Sequence, residues 1–127
     1  MIEGKEFLGF KPCPDKKNCV ISHKYPGTEK FYEEPIKMIE DKEMAQAKLL
    51  GIITKTGGTV VEKSPNYIRA EFKSSVFKFV DDVEFFIADK ENLIHFRSAS
   101  RSGYYDFGVN KKRIGDITFK YHQNDYK

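Results

Sequence analysis

The stretch FKFVDDVEFFIADKENLIHFRSASRSG, residues 77–103, decides the fold that this sequence predicts. It contains two runs rich in β-branched and aromatic residues, 77–89 and 93–100, which are typical of β-strands. Only the turn KEN separates them. So short a connection joins antiparallel strands, because parallel strands need a long crossover. The stretch therefore predicts an antiparallel hairpin.

Strands and helices on both sides of this hairpin complete the predicted fold. Residues 58–64 and 67–74 have the pattern of a second hairpin. Residues 32–39 resemble a short edge strand, since Pro35 cannot donate a hydrogen bond inside a sheet. With two helices, these strands predict an α+β fold: an antiparallel sheet of four or five strands with two helices packed on one face.

The two helices are predicted from their caps and their apolar spacing. The first begins after Asp41, a good N-cap residue, and ends at Gly57-Gly58. The second covers residues 108–123, with Asn110 as its cap. In each helix, apolar residues recur three or four positions apart and form one buried stripe. The stripe residues are Ala45, Leu49, Ile52 and Ile53 in the first helix and Ile114, Ile117 and Tyr121 in the second.

Length and composition are those of an ordinary globular domain. The chain has 127 residues, of which 39% are hydrophobic and 32% charged, and this balance argues against disorder. We predict a single domain over 1–127, with an irregular N-terminal arm over 1–33 and the sheet and helices over 34–127. The net charge of +3 implies no strong attraction to nucleic acids, so we expect no nucleic-acid partner.

The sequence also bears on location. No apolar run approaches the roughly 20 residues that cross a bilayer, so we expect no transmembrane segment. Residues 1–10 lack the basic start and apolar stretch of a signal peptide. We therefore expect a soluble protein, cytoplasmic unless an export signal has been removed. After such processing it would lie in the periplasm or at a membrane.

Alternation along the strands separates an apolar face from a polar face. Asp81 breaks this pattern, because it falls on the apolar side, where an unpaired carboxylate is costly. Either a β-bulge turns Asp81 and Asp82 to the polar face, or Asp81 stays inward and needs a partner. Arg101, Arg113 and the backbone amides of residues 108–110 are the candidate partners. The predicted apolar face of this strand comprises Phe77, Phe79, Val83 and Phe85; the polar face of the sheet comprises Arg69, Glu71, Asp82, Glu84, His95, Arg97 and Arg101.

Acids and arginines on neighbouring strands suggest a binding site. In our leading hypothesis, the arginines hold the negative charge of a small anionic ligand or of a protein partner, and the acids orient the arginines. The protein is then a non-enzymatic binding module that needs no cofactor and no bound metal. Alternatively, these charges only neutralise one another as cross-strand pairs. The candidate ligand-binding residues are Asp81, Asp82, Glu84, Arg97, Arg101, Asn110 and Arg113.

The sequence also allows a second anion site and a metal site. A second anion site is suggested at residues 102–110, where a helix N-terminus meets the basic residues 111–113. Serine catalysis is not predicted, because the serines that follow His95 lack the G-x-S-x-G pattern. The rival to a binding module is a metal-assisted hydrolase, in which carboxylate oxygens hold a divalent ion. Its oxygen ligands would be Asp81, Asp82, Glu84 and Asp106.

Two cysteines, Cys13 and Cys19, lie in the turn-forming segment CPDKKNC. A disulfide between them would close a short loop and contribute roughly 2 kcal/mol of stability. A pair of reduced thiols in a cytosolic protein is also compatible with the sequence. A zinc site is less well supported, because a second ligand pair is missing and His23 alone does not complete one.

Three blocks of the sequence resemble a known protein family. They are CPDKKNCV (13–20), FVDDVEF (79–85) and RSASRSGYYDFGVNKKR (97–113), in the same order as in that family. It is a bacterial and plant-plastid family known only as domain-of-unknown-function family 1499, so the resemblance implies no particular activity. Many of its members look exported, lumenal or membrane-attached, which favours the disulfide. The chain differs from the family pattern at Ile21 and at Lys111-Lys112, where a small polar residue and arginines are common.

Overall fold

The computed structural model of the protein describes residues 9–16, 18–27, 29–73, 79–103, 106 and 108–123. Within these residues, six β-strands, two α-helices and a short 3-10 helix follow one another along the chain. In chain order they are β1 (Cys19–Ile21), the 3-10 helix (Glu29–Phe31), β2 (Ile36–Lys37), α1 (Lys42–Lys55), β3 (Gly58–Ser64), β4 (Tyr67–Lys73), β5 (Val80–Ala88), β6 (Leu93–Ser100) and α2 (Val109–Tyr121).

The α+β fold class is confirmed, since the strands form an antiparallel sheet with both helices packed on one side. The strand order is β1-β6-β5-β4-β3, and β2 also pairs with β6. The described residues thus contain six strands rather than four or five. The difference comes from the N-terminal arm, which is not irregular throughout: β1 has three residues, too few for alternation to reveal a strand.

The first helix, α1, begins and ends where the sequence predicts. Asp41 precedes it, and the Oδ1 atom of Asp41 accepts a hydrogen bond of 2.9 Å from the backbone N–H of Met44. The helix ends at Lys55, and Gly57 follows with a φ of 98°, a left-handed conformation that glycine adopts without strain. The predicted stripe is buried: Ala45, Leu49, Ile52 and Ile53.

The second helix, α2, begins at Val109, so Asn110 is not its cap as the sequence predicted. Gly108 holds the cap position and makes no side-chain hydrogen bond there. The carboxylate of Asp106 serves instead, accepting hydrogen bonds from the N–H groups of Gly108 at 2.8 Å and of Asn110 at 3.1 Å. The side chain of Asn110 is therefore available to turn inward. The predicted stripe is buried: Ile114, Ile117 and Tyr121.

We call the helix-covered side of the sheet the inner face and the opposite side the outer face. The outer face is not purely polar, contrary to the expectation from alternation. The N-terminal arm folds over part of it, and the sulfur atoms of Cys13 and Cys19 lie 2.05 Å apart in a disulfide within this arm. The arm and the sheet together form a second apolar cluster: Phe10, Cys13, Cys19, Ile21, Phe31 and Ala99.

Four residues, Phe77, Phe79, Val83 and Phe85, were predicted to lie on the inner face of β5, and the structure agrees for two of them. Phe79 was expected to be buried but is 48% exposed, because it precedes the first residue of the strand, Val80. Phe77 lies outside the described residues. Val83 and Phe85 are buried as predicted. In the part of the chain that the structure describes, neither helix is long and apolar enough to span a membrane.

Candidate functional site

Asp81 stays on the inner face, where strand alternation predicted it. The pairing of β5 with both neighbouring strands is continuous through Asp81 and Asp82, so no bulge turns the two acids to one side in this described segment. Asp81 is only 7% exposed. Its Oδ2 atom lies 2.9 Å from Nη1 of Arg113, which meets the need of a buried carboxylate for an opposite charge. Arg113 was one of the predicted partners.

The guanidinium of Arg113 is fixed on two sides. Its Nη1 atom donates a hydrogen bond of 2.8 Å to Oδ1 of Asn110 while it pairs with Asp81. The group also lies over the ring of Phe72, 4.7 Å from the ring centroid, which suits a cation. Among the described residues, the Nε and Nη2 atoms have no hydrogen-bond partner. Arg113 therefore has a fixed orientation, and two of its nitrogen atoms hold donors that no described residue uses.

Asn110 links the N-terminal arm, the sheet and α2. It is completely buried, and its Oδ1 atom accepts hydrogen bonds from Ser98 at 2.6 Å and from Arg113 at 2.8 Å. Its Nδ2 atom faces three acceptors. They are Oδ2 of Asp106 at 2.7 Å, Oγ of Ser100 at 3.1 Å and the backbone oxygen of Asn18 at 3.2 Å. This buried amide is well satisfied, as a stabilising polar contact requires.

A cleft of about 430 Å³ lies beside Arg113, and we call it the basic cleft. It opens between the end of α1, the end of β4 and the first turns of α2. Lys73 and Lys112 line it, and neither has an ionic partner among the described residues. Lys111 does not line it and lies 3.6 Å from Glu33. The lining residues are Thr56, Gly57, Phe72, Lys73, Val109, Lys112, Arg113, Asp116 and Ile117.

Two of the amides at the start of α2, where the sequence predicted an anion site over residues 102–110, are already engaged within the protein. The sequence suggested that amides at the start of α2 are available to a ligand. Asp106 already occupies the N–H groups of Gly108 and Asn110, because its carboxylate is near enough to cap the helix. The basic residues at the start of α2 contribute to the basic cleft instead, through Lys112 and Arg113.

The outer face carries a separate charge network, which we call the outer cluster: Glu62, Arg69, Glu71, Asp82 and Arg101. Arg101 lies 2.7 Å from Asp82 through Nε and 2.5 Å from Glu71 through Nη2. Hydrogen bonds to Asp82 and then to Glu71 raise the pKa of Arg101. Arg69 lies 3.0 Å from Asp82 and 2.5 Å from Glu62. The acids outnumber the arginines, so this network opposes an added anion.

Glu84 and Arg97 belong neither to the outer cluster nor to the group formed by Asp81, Asn110 and Arg113. Glu84 accepts a hydrogen bond of 2.6 Å from the hydroxyl of Tyr67. Burial and this hydrogen bond raise the pKa of Tyr67. Arg97 donates through Nε to the backbone oxygen of Lys11 at 2.8 Å and thus fastens the N-terminal arm. Of the seven predicted residues, the structure joins three on the inner face: Asp81, Asn110 and Arg113.

The positions of the acids do not favour the metal-assisted alternative. Asp81 and Asp82 lie on opposite faces of the sheet, so they cannot chelate the same ion. Asp106 caps α2. In the described part of the chain, no group of three or more His, Cys, Asp or Glu side chains is arranged to hold a metal ion.

Within the described residues, neither Ser98 nor Ser22 is placed to act as a nucleophile. The hydroxyl of Ser98 is buried and donates to Asn110. His95 lies near a different hydroxyl, that of Ser22, at 3.0 Å from its Nδ1 atom. Ser22 is 3% exposed and accepts a hydrogen bond from the N–H of Phe96, so it is closed to a substrate.

Sequence reasoning missed several residues that the structure brings to Asn110 or to the basic cleft, among them Asn18, Ser100 and Lys73. Asn18 and Ser100 contact Asn110, and both lie within the blocks that carry the family resemblance. Their position in those blocks was the available signal. Lys73 carried no signal, because it alternates onto the outer face of β4 and only the end of the strand brings it to the cleft.

The comparisons with known proteins identify a family. The sequence model of a family described as "Protein of unknown function (DUF1499)" matches residues 9–120. No curated protein and no solved structure is significantly similar to the chain. The three blocks of the resemblance meet around Asn110, where they supply Asn18, Asp81 and Arg113. Because the match covers nearly the whole chain, the protein belongs to the DUF1499 family.

Proposed function

We propose that the protein is a non-enzymatic binding module for a small organic anion, which it binds in the basic cleft. The observation that carries this proposal is the arrangement of Arg113. Asp81 and Asn110 both engage its Nη1 atom, and Phe72 lies under the group. A planar guanidinium held in this way keeps its remaining donors in a fixed direction, which suits a carboxylate or phosphate.

The charges at the cleft favour a ligand with a single negative charge. Lys73, Lys112 and Arg113 contribute three positive charges, and Asp116 and Asp81 contribute two negative ones. One positive charge is therefore left over. A monoanion balances this charge, whereas a dianion leaves an excess negative charge beside two carboxylates.

The other walls of the cleft favour a ligand with an apolar body. Val109, Phe72 and Ile117 line the cleft; Val109 supplies most of the accessible apolar surface, since it is 46% exposed, whereas Phe72 and Ile117 are 6% and 1% exposed. Apolar surface with a few polar groups that fix orientation is typical of small-molecule sites. An aromatic or aliphatic carboxylate combines both features.

Two-dimensional NMR with sodium benzoate and inorganic phosphate, at constant ionic strength, tests this proposal. We expect saturable shifts of the backbone amides of Gly57, Lys73 and Lys112 with benzoate, and weaker binding of phosphate. Shifts centred on the outer cluster, or no saturable shift, would contradict the site. Tighter binding of phosphate than of benzoate would contradict the monoanion.

A further inference from the structure

Two histidines form a contact between the N-terminal arm and the sheet. His23 follows β1, and His95 lies on the outer face of β6. Their rings are stacked, with centroids 4.3 Å apart and planes 15° from parallel. Phe10 lies against His23 on the arm, with ring centroids 5.2 Å apart. A contact between two imidazoles is stable only while at most one of them carries a charge.

Both ring nitrogens of His95 have polar neighbours. Its Nδ1 atom lies 3.0 Å from the hydroxyl of Ser22, which can donate or accept, and its Nε2 atom lies 3.6 Å from the carboxylate of Glu91. Arg97, two residues further along the same face of β6, holds the backbone of Lys11 and adds a positive charge to this face.

The surroundings of His23 are different. Its Nδ1 atom is buried and has no hydrogen-bond partner among the described residues. A proton on that nitrogen would add a buried donor without an acceptor, beside a second imidazole. Among the groups that act on His23, His95 opposes the charge and Glu91 favours it.

We propose that His23 and His95 form a proton-sensitive clasp: protonation of His23 separates the stacked rings and loosens the N-terminal arm, residues 9–16 and 18–27, both from the outer face and from the pairing of β1 with β6. This segment carries the disulfide and Asn18, whose backbone oxygen accepts a hydrogen bond from Asn110. Release of the arm therefore also removes one contact from the start of α2.

The direction of the pH effect follows from the docked state. Burial, and then the neighbouring His95, lower the pKa of His23 below its usual 6.5. The released arm therefore binds the proton more readily than the docked arm. The free energy of docking of the arm is most favourable above pH 6.5. It becomes less favourable as the pH falls toward the pKa of the docked histidine. For one linked proton, the opening constant rises by up to about tenfold per pH unit in this window.

Hydrogen exchange between about pH 7.5 and pH 5 tests the clasp without any ligand. After correction for intrinsic exchange, protection of the Ser22 amide, which donates to Phe96, should fall by up to about tenfold per pH unit below 6.5. Protection of the Ala45 amide in α1, which donates to Asp41, should not change. Equal responses of the two amides would overturn the proposal.

The variant His23→Phe keeps a ring at this position but cannot bind the proton. The change in protection of the Ser22 amide between about pH 7.5 and pH 5 should therefore be at most half of that in the natural protein. An unchanged response in this variant would overturn the proposal. If the variant does not fold, NMR titration of the His23 ring in the natural chain decides the question. A midpoint below 6.5 supports the clasp, and a midpoint at or above 6.5 contradicts it.

Discussion

The Oδ2 atom of Asp81 lies 2.9 Å from Nη1 of Arg113 on the inner face of the sheet. The next residue, Asp82, points to the outer face and lies 2.7 Å from Nε of Arg101. Two adjacent acids thus have different arginine partners on opposite sides of one strand. The inner pair is also the more enclosed, since the side chains of Asp81 and Arg113 are 10% and 16% exposed.

Because of this difference, we expect Asp81→Asn and Asp82→Asn to lower the free energy of unfolding by different amounts. Loss of the inner carboxylate leaves the charge of Arg113 enclosed without its partner, so we expect a loss of about 3 kcal/mol in the free energy of unfolding. The matched outer change should cost about 1 kcal/mol or less, because that network is more exposed. Urea denaturation measures both. Equal losses, or a larger loss from Asp82→Asn, would contradict the assignment of Asp81 as the buried partner.

The variant Arg101→Ala tests whether the outer cluster takes part in ligand binding. Glu71 and Asp82 are directly paired across β4 and β5, so removal of Arg101 leaves these like charges with one arginine, Arg69, between them instead of two. We expect a lower Tm, with a deficit that shrinks as NaCl is added, because salt screens the repulsion. Benzoate affinity should not change. If the variant keeps the natural Tm but no longer binds benzoate, the binding site lies on the outer face, as the sequence first suggested, and not in the basic cleft.

Glu40→Gln should give a loss of stability that depends on pH. Burial alone would raise the pKa of Glu40, but hydrogen bonds from Lys48 and Tyr121 outweigh it and lower the pKa below its usual 4.5. The carboxylate therefore stabilises the fold above pH 4.5, and its contribution is lost as the pH falls through the lowered pKa. We expect the variant to be about 1–2 kcal/mol less stable at neutral pH. Urea denaturation at several pH values should show this difference vanishing in acid; a constant difference would refute the explanation.

Replacement of both Cys13 and Cys19 by serine removes the disulfide that closes the turn of the N-terminal arm. We expect a loss of roughly 2 kcal/mol in the free energy of unfolding, because the open chain is less constrained when unfolded. Urea denaturation of the oxidised protein and the variant measures it. Thiol titration of the unfolded natural protein is the control. Two reactive thiols in that titration would mean that the disulfide does not form.

The elements of the fold that rest on strong local patterns were predictable. Asp41 caps α1, and the alternation of β5 puts Val83 and Phe85 inside. The strand β1 was missed because three residues carry too little periodicity. The cap of α2 was misassigned because Asp106 acts through its side chain from outside the helix, and sequence spacing alone did not distinguish it from Asn110.

The candidate site was predicted only in part. Sequence alternation put Asp81 on the apolar side but left a bulge toward the polar face open; Arg113 was one of three candidate partners for an inward Asp81, and it is the partner in the structure. Alternation could not tell which arginine reaches which acid, because Arg101 and Arg113 are both near in sequence and only the path of the chain after β6 separates them. The cleft itself depends on the meeting of α1, β4 and α2, which no local pattern encodes.

The central claim, that the basic cleft binds an organic monoanion, is tested most directly by comparing Lys112→Ala with Lys111→Ala. Both changes remove one positive charge from the same turn of α2, but only Lys112 lines the cleft, and Lys111 pairs with Glu33. Benzoate affinity, measured by NMR titration, should fall by about threefold to tenfold in Lys112→Ala, about 1 kcal/mol. It should stay within about twofold of the natural value in Lys111→Ala. Equal weakening by both changes, or none by either, would contradict the account.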